Sequence, residues 1–434
     1  MPPPAERKSS CRLPIELVLQ VLEEAQYDDL VPRHKWLKNY ALVCRSWSIH
    51  AQRLLFAYVT LLKGSDHCRK FRKRMKLVES RDPERASLLK ESIRTLGMAV
   101  DHQDIYADVI RLCDCPNLRE LHLSLYHASF RRDVLEGLAA AGSRISALRV
   151  KAYHYLPLFQ LLPLLPSLEY LEVDCNSILD DILAIPSISP PAWRLKYLRY
   201  ANMRRHTQAF VEWVLSASGS VARESLEVLS VISPSFELSS IAALGLADTL
   251  LSLTVQRLHD SDDLSVLTRL QEIAVVHPEG TPPTFRLLPA GVVHITLDAI
   301  PKATECEVAV AGLAAYHERS GGALRALTYN RRCNNKVDGL TDVVMLYDFC
   351  TARKIQFRLM DPPYGSYPGE RTSLQAAQSF PRELPVSSRR PSQSQLEKEP
   401  PWKVQGKSTF ARRIANVAGR AFGSSIPPMA LARG

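Results

Sequence analysis

A run of three apolar positions, L-x-x-L-x-L with drift, recurs through the middle of this chain. It appears as Ile93/Leu96/Met98, Leu118/Leu121/Leu123, Ile145/Leu148/Val150, Leu168/Leu171/Val173, Leu195/Leu198/Tyr200 and Leu226/Leu229/Val231. It continues as Leu250/Leu253/Val255, Leu270/Ile273/Val275, Val292/Ile295/Leu297 and Leu324/Leu327/Tyr329, with Ile355/Phe357/Leu359 as a closing strand. Successive starts lie 20 to 32 residues apart. The alternation of the last two apolar residues predicts a short strand with one face buried. Segments 131–141, 207–217, 237–247 and 303–318 between them carry helical spacing. One strand–helix unit cannot bury its apolar side alone, whereas neighbours stacked edge to edge form a continuous core. A single α/β domain with several parallel strands would also read as apolar runs.

The N-terminus has a different period. Leu13-Pro14 opens a segment with Ile15, Val18, Leu19 and Leu22 on one helical face, and proline in a first turn loses no hydrogen bond. Asp28 and Asp29 end it, and a second series runs from Trp36 to Phe56. Three short helices in so few residues make a small core, which points to burial completed against a partner.

Leu13-Pro14-Ile15-Glu16-Leu17, then Leu42-Val43-Cys44-Arg45-Ser46-Trp47, then Leu54-Leu55-Phe56 resemble the F-box. The resemblance implies a three-helix module docking on the Skp-type adaptor of a cullin-RING ubiquitin ligase. It implies that Leu13, Pro14, Ile15, Leu17, Val43, Cys44, Trp47, Leu54 and Leu55 supply adaptor-facing or module-core positions. The connector from Tyr27 to Lys38 is longer and more charged than in compact F-boxes. The repeats fit the 20–29-residue period of leucine-rich repeats, two longer intervals implying insertions. The usual Asn or Cys after the third apolar position is mostly missing, Cys175-Asn176 coming nearest. F-box followed by irregular repeats is similar to the divergent fungal-type F-box/leucine-rich-repeat proteins.

The expected class is therefore α/β: an N-terminal three-helix F-box, an irregular leucine-rich-repeat solenoid with parallel strands on the concave side and helices outside, and a disordered tail. The expected boundaries are 1–10 disordered, 11–60 F-box, 61–90 basic helical linker, 91–360 repeats, and 361–434 a disordered basic tail with a short helix at 407–422. The resemblance implies a substrate receptor of an SCF-type ligase that does no chemistry itself. The alternative is a leucine-rich interaction scaffold with a vestigial F-box and no ligase role.

Strand alternation places Glu120, His122, Ser124, Arg149, Lys151, Tyr170, Glu172, Asp174, Tyr197 and Arg199 on the concave side. Ser230, Thr254, Gln256, Glu272, His294, Thr296 and Asp298 follow. Tyrosine and arginine amid mixed charge suit a protein-binding face, and His122, Arg149, Lys151, Tyr170, Glu172, Tyr197 and Arg199 are its target-binding candidates. These positions are expected to be solvated and to tolerate charge changes.

Charge refines this picture. The net charge is +10, but residues 1–80 carry 15 Lys and Arg against 8 Asp and Glu, and residues 361–434 carry 11 against 5. Residues 81–360 then carry 29 against 32, so the repeats are close to neutral and nucleic acid is an unfavoured partner. The basic peak at 69–76 is compatible with a solvated helix face, a polyanion or acidic-partner contact, or a nuclear import signal. The 407–422 helix is compatible with a membrane surface, an acidic partner, or a marginal helix in an unfolded tail. No apolar run approaches the roughly 20 residues of a transmembrane helix, and the first residues lack a signal-peptide core. Nine cysteines scattered along the chain read as reduced buried thiols, which places the chain in cytoplasm, nucleus or both.

Candidate chemistry is thin. Cys113-x-Cys115 lacks a second pair at zinc spacing. Asp101–Asp104 and His259–Asp263 place carboxylates beside histidine without the paired helical histidines of a metalloprotease, and read as caps and exposed loops. No P-loop, GxSxG or GxGxxG occurs. No catalytic residue, metal or cofactor is expected. Ser320-Gly321-Gly322 reads as a turn.

Overall fold

The computed structural model describes residues 34–61, 63–100, 115–126, 129–175, 193–201, 207–215, 221–234, 236–259, 261–276, 285–298, 303–330 and 341–360. Towards the N-terminus it also describes 14, 16–17, 19, 22, 27–28 and 31–32. All of these belong to Met1–Arg389, the first of two units into which the chain divides. The 177–192 insertion, Asp101–Asp104, Cys113 and the 361–434 tail with its 407–422 segment lie outside the described residues.

Glu16, Leu17, Leu19 and Leu22 are helical. A short antiparallel pair, β1 (Tyr27–Asp28) and β2 (Val31–Pro32), occupies the charged connector. Helices α1 (His34–Tyr40) and α2 (Arg45–Ala57) follow. Leu22 and Ala51 form a small buried cluster against Tyr40, Ala41, Trp47 and Leu54.

From β3 (Tyr58–Leu61) onwards the chain builds a single mixed α/β architecture around a 12-stranded sheet. Its remaining strands are β4 (Thr95–Val100), β5 (Glu120–Leu125), β6 (Ala147–Ala152), β7 (Tyr170–Cys175), β8 (Tyr197–Ala201) and β9 (Val228–Ile232), followed by β10 (Ser252–Val255), β11 (Glu272–Val275), β12 (His294–Asp298), β13 (Ala326–Asn330) and β14 (Gln356–Met360). They lie in strict chain order and every neighbouring pair is parallel. A parallel neighbour needs a crossover connection, which the intervening segments supply.

Register aligns the apolar repeat into columns. Val59, Leu96, Leu121, Leu148, Leu171, Leu198, Leu229, Leu253, Ile273, Ile295, Leu327 and Phe357 are cross-strand partners in one row. A second row runs from Leu61 and Met98 through Tyr200 to Tyr329 and Leu359. The first apolar position of each repeat is buried in the same cluster. A backbone motif recurs at the start of each strand from β5 to β13: one carbonyl of the preceding segment accepts two successive N–H groups. Arg94 accepts from Arg119 and Glu120, Lys196 from Glu227 and Val228, and Val293 from Arg325 and Ala326, at 2.8–3.1 Å. Those N–H groups would otherwise be orphaned as the chain enters the sheet.

The helices pack on the apolar face. Buried residues of α5 (Arg132–Gly142), α6 (Leu156–Leu161), α7 (Thr207–Leu215), α10 (Ala303–Arg319) and α11 (Thr341–Ala352) share the cluster of the leucine columns. The short α8 (Val221–Ser225) and α9 (Ser239–Ala243) complete the connections. Two small clusters on the opposite face, Ala147/Tyr197/Val228 and Ala201/Ile232/Val276, contain no helix residue. The 237–247 segment forms only a five-residue helix and turns, shorter than its spacing predicts. Gly321 and Gly322 have φ of 63° and 83°, and Gly322 N–H closes α10 on the His317 carbonyl at 2.8 Å, so that stretch is a turn.

The parallel sheet itself begins before residue 91, because β3 already pairs with β4. Residues 65–92 are the connection: α3 (Ser65–Arg81) and α4 (Pro83–Ser92), with Asp82 capping α4 by accepting from Arg85 N–H at 2.9 Å.

Gly142 closes α5 against the turn at Leu162–Leu164. A Cβ there would lie 1.9 Å from the Leu164 carbonyl oxygen. Gly142→Ala is therefore expected to cost about 1–3 kcal/mol as overpacking. A urea melt reads this, and an unchanged midpoint would show that the two backbones do not approach.

Candidate binding face of the sheet

On the face opposite the helices, strand alternation leaves three polar rows. The middle row runs Thr60, Gly97, His122, Arg149, Glu172, Arg199, Ser230, Thr254, Ala274, Thr296, Thr328 and Arg358. All seven target-binding candidates lie on this face, but their environments differ.

Glu172 is the hub of the first network. Its Oε2 accepts from Arg149 Nε at 2.9 Å, and its Oε1 accepts a short bond from Arg199 Nη1. Glu172 and Arg199 are buried, the latter to 2% exposure, while Arg149 stands half out. Tyr197 is buried against Ala147 and Val228 with Tyr170 beside it. The expectation that Glu172, Tyr197 and Arg199 are solvated is corrected: they are interior residues of a polar face. The reason is that each strand has neighbours on both sides, so the ion pair and flanking tyrosines close over one another.

His122, Glu120 and Tyr58 form the second network. His122 Nε2 lies 2.7 Å from Glu120 Oε1, and its Nδ1 lies 3.1 Å from Tyr58 Oη. A carboxylate only accepts, so Nε2 donates to Glu120, while Nδ1 shares a hydrogen bond with the phenol. Burial pushes the Tyr58 phenol up. It remains neutral at physiological pH. A related arrangement recurs at His294, 3.2 Å from Glu272 Oε1 and 2.8 Å from Thr328 Oγ1. Asn330 donates to Asp298 at 3.0 Å alongside it. Ser230, Thr254, Gln256, Glu272, His294, Thr296 and Asp298, expected to face solvent, are likewise buried.

Between the two edge strands, accessibility on this face is concentrated on β5–β7. Lys151 is exposed, and Ser124, Arg149, Tyr170 and Asp174 are partly so. Tyr126, exposed, and Tyr153, half-buried, extend the face one step beyond β5 and β6 and stack at 5.2 Å and 20°. These two tyrosines were missed from sequence, although Ser124→Tyr126 and Lys151→Tyr153 continue the period of two. Amphipathic rings beside accessible charges suit protein contact. At the ends of β9 and β10 a cavity of about 320 Å³ is bordered by Ser233, Phe236, Gln256 and Asp262. Gln256 is buried, and its Oε1 has no hydrogen-bond partner among the described residues.

The other candidate region is N-terminal. Pro14, Leu17, Val43 and Cys44 are exposed, Trp47, Leu54 and Leu55 are partly buried, and Leu13 and Ile15 lie outside the described residues. Exposure reaches 47% at Leu17 and 60% at Val43, with Leu42 and Ile49 also exposed.

Among the described residues no group of three or more His, Cys, Asp or Glu is placed to hold a metal ion. The His259 turn is held by its own N–H to Asp262 Oδ2 at 2.6 Å, and hydrogen bonds from Ser265 lower the Asp263 carboxyl pKa. Of six described cysteines, all free, five are buried and Cys44 is exposed. Burial pushes the Cys306 and Cys350 thiols up to about 12, so they are inert. No described helix is long and apolar enough to cross a membrane. No protein-family model matches the sequence, and no curated protein matches it.

Proposed function

We propose that this chain is the substrate-recognition subunit of an SCF-type ubiquitin ligase. In this reading residues 11–60 are an F-box that docks on the Skp-type adaptor. The strands that follow are an irregular leucine-rich-repeat solenoid, and their polar face holds a target protein. The carrying observation is that a three-helix segment with the LPIEL and VCRSW pieces leaves Leu17, Leu42, Val43 and Ile49 exposed. The repeat reading is supported by parallel strands in chain order, helices on one face, and a recurring carbonyl that accepts two N–H groups. The target surface in this reading is β5–β7, around Arg149, Lys151, Tyr126 and Tyr153. Ligase chemistry would belong to the conjugating enzyme. This chain would contribute effective concentration, holding a target lysine near the charged donor.

The test is binding of purified Skp-type adaptor to the full chain. Leu17→Ala with Val43→Ala is expected to weaken binding at least tenfold, since each truncation at an interface core costs on the order of 1–2 kcal/mol. Both side chains are exposed, so the thermal midpoint of the free chain should stay put. Adaptor binding should also protect Cys44 from alkylation. Undiminished binding by the double variant removes this assignment, and a wild-type chain that ignores the adaptor is an interaction scaffold with no ligase role.

A further inference from the structure

The exposed face of α3 is not used by the proposed function, and its composition is unlike that of a helix selected for stability alone. Within Ser65–Arg81 there are seven cations, Arg69, Lys70, Arg72, Lys73, Arg74, Lys76 and Arg81, against Asp66 and Glu79. Asp66 is engaged by Arg69 at 3.7 Å, and Glu79 by Lys90 of α4 at 2.9 Å. Lys70, Lys73, Arg74, Lys76 and Arg81 therefore have no acidic partner among the described residues. Like charges recur one turn apart, as Lys70 with Lys73 and Arg74, and Arg69 with Lys73. Each such pair destabilises the helix, whereas interleaved signs would stabilise it.

The helix is nevertheless firmly seated. Cys68 and Met75 are buried, Cys68 belongs to the main core with Phe71 packed on it, and the Asp82 N–H closes the last turn on the Val78 carbonyl at 2.7 Å. At 3.6 residues per turn, the exposed positions from Lys76 round to Arg74 cover roughly 160° of its circumference. The charges are thus presented on a preorganised rod, which lowers the ordering cost of binding.

Two details choose among polyanions. Leu77 sits inside the cationic arc and is 47% exposed. An aliphatic side chain has nothing to contact on a phosphate backbone, but it packs against the apolar residue of an amphipathic helix. Furthermore, the arc carries no aromatic residue to stack on bases, since Phe71 faces the core. We propose that this face of α3 is a docking surface for an acidic helical segment of a partner protein. The partner's carboxylates, one turn apart, would face Lys70, Lys73 and Arg74, and its aliphatic residue would cover Leu77. The inference stands whether or not the ligase reading holds.

The experiment is fluorescence anisotropy on the full chain with three probes. They are a 20-residue amphipathic peptide with glutamates one turn apart around a central leucine, a 20-base-pair DNA duplex, and vesicles containing phosphatidylserine. The peptide should bind tightest, with affinity falling at least tenfold between 50 and 200 mM salt. Lys70→Glu with Lys73→Glu and Arg74→Glu should weaken it at least 30-fold, and the corresponding triple glutamine variant should lie between. Leu77→Ser should weaken peptide binding about fivefold and leave duplex binding unchanged. These exposed positions allow a circular-dichroism melt to confirm that every variant folds. Tighter binding of the duplex or vesicles, no binding of the peptide, or indifference of the peptide to Leu77→Ser would each overturn the proposal.

Discussion

Glu172→Ala should lower the stability of the chain by about 3–5 kcal/mol, the cost of leaving a buried charge without its counter-ion. Glu172 is the shared acceptor of Arg149 and Arg199, and Arg199 is 2% exposed. Without the carboxylate, its guanidinium can neither reach water nor lose its proton, because an arginine stays charged in proteins. Arg149 stands half out, so its own truncation should cost no more than about 1 kcal/mol. The control is Glu172→Leu combined with Arg199→Met. Removing both charges together should recover most of the loss, as apolar replacements of buried pairs do. Urea denaturation measures all of these; a loss below about 1 kcal/mol for Glu172→Ala would show that Arg199 is solvated after all.

Leu198→Ala should cost about 2–5 kcal/mol, through lost burial and the cavity left behind. Leu198 is fully buried in β8, between Leu171 of β7 and Leu229 of β9 in the continuous apolar row. Its removal weakens the packing against both neighbouring strands at once. Hydrogen exchange should then quicken in β7 to β9 before it does in β13 and β14. Val308, exposed on α10, provides the contrast, and its alanine variant should stay within about 0.5 kcal/mol of wild type. An alanine at 198 that behaves like one at 308 would mean that the row is not packed.

The second prediction rests on one row of residues, and that row was legible for a local reason. Leu121, Leu171, Leu198, Leu229, Leu253 and Leu327 each precede another apolar residue by two positions, a signature confined to a few residues of chain. Burial of one strand face imposes that spacing whatever lies elsewhere. The order of the strands followed from it, because each repeat finds its nearest neighbour next in sequence. The first strand escaped notice because Val59 and Leu61 stand 37 residues before Leu96 and Met98. The helical hairpin of α3 and α4 fills that interval and hides the period.

The polar face was legible in membership but not in environment. Period two places Glu172, Arg199, Glu272, His294 and Asp298 opposite the leucines, and the structure finds them there. Whether each meets water depends on which residue of the next strand lies across from it, a question of register between positions 22 to 32 residues apart. His294 is buried because Glu272 and Thr328 fall within bonding distance on either side, and Asp298 because Asn330 does. Lys151 has Ser124 and Asp174 as neighbours and stays exposed.

By itself, then, the chain's pattern determined which side chains lie on which face of which strand, and which short segment carries the F-box-like residues. Those are properties of periodicity and local spacing, carried by a few adjacent residues. Only the tertiary structure decided which polar residues are interior, where the first strand begins, and that Leu17 and Val43 are exposed while Leu22 and Ala51 are buried. Those depend on neighbours tens of residues away, and burial is a property of the partners a side chain acquires rather than of its own type.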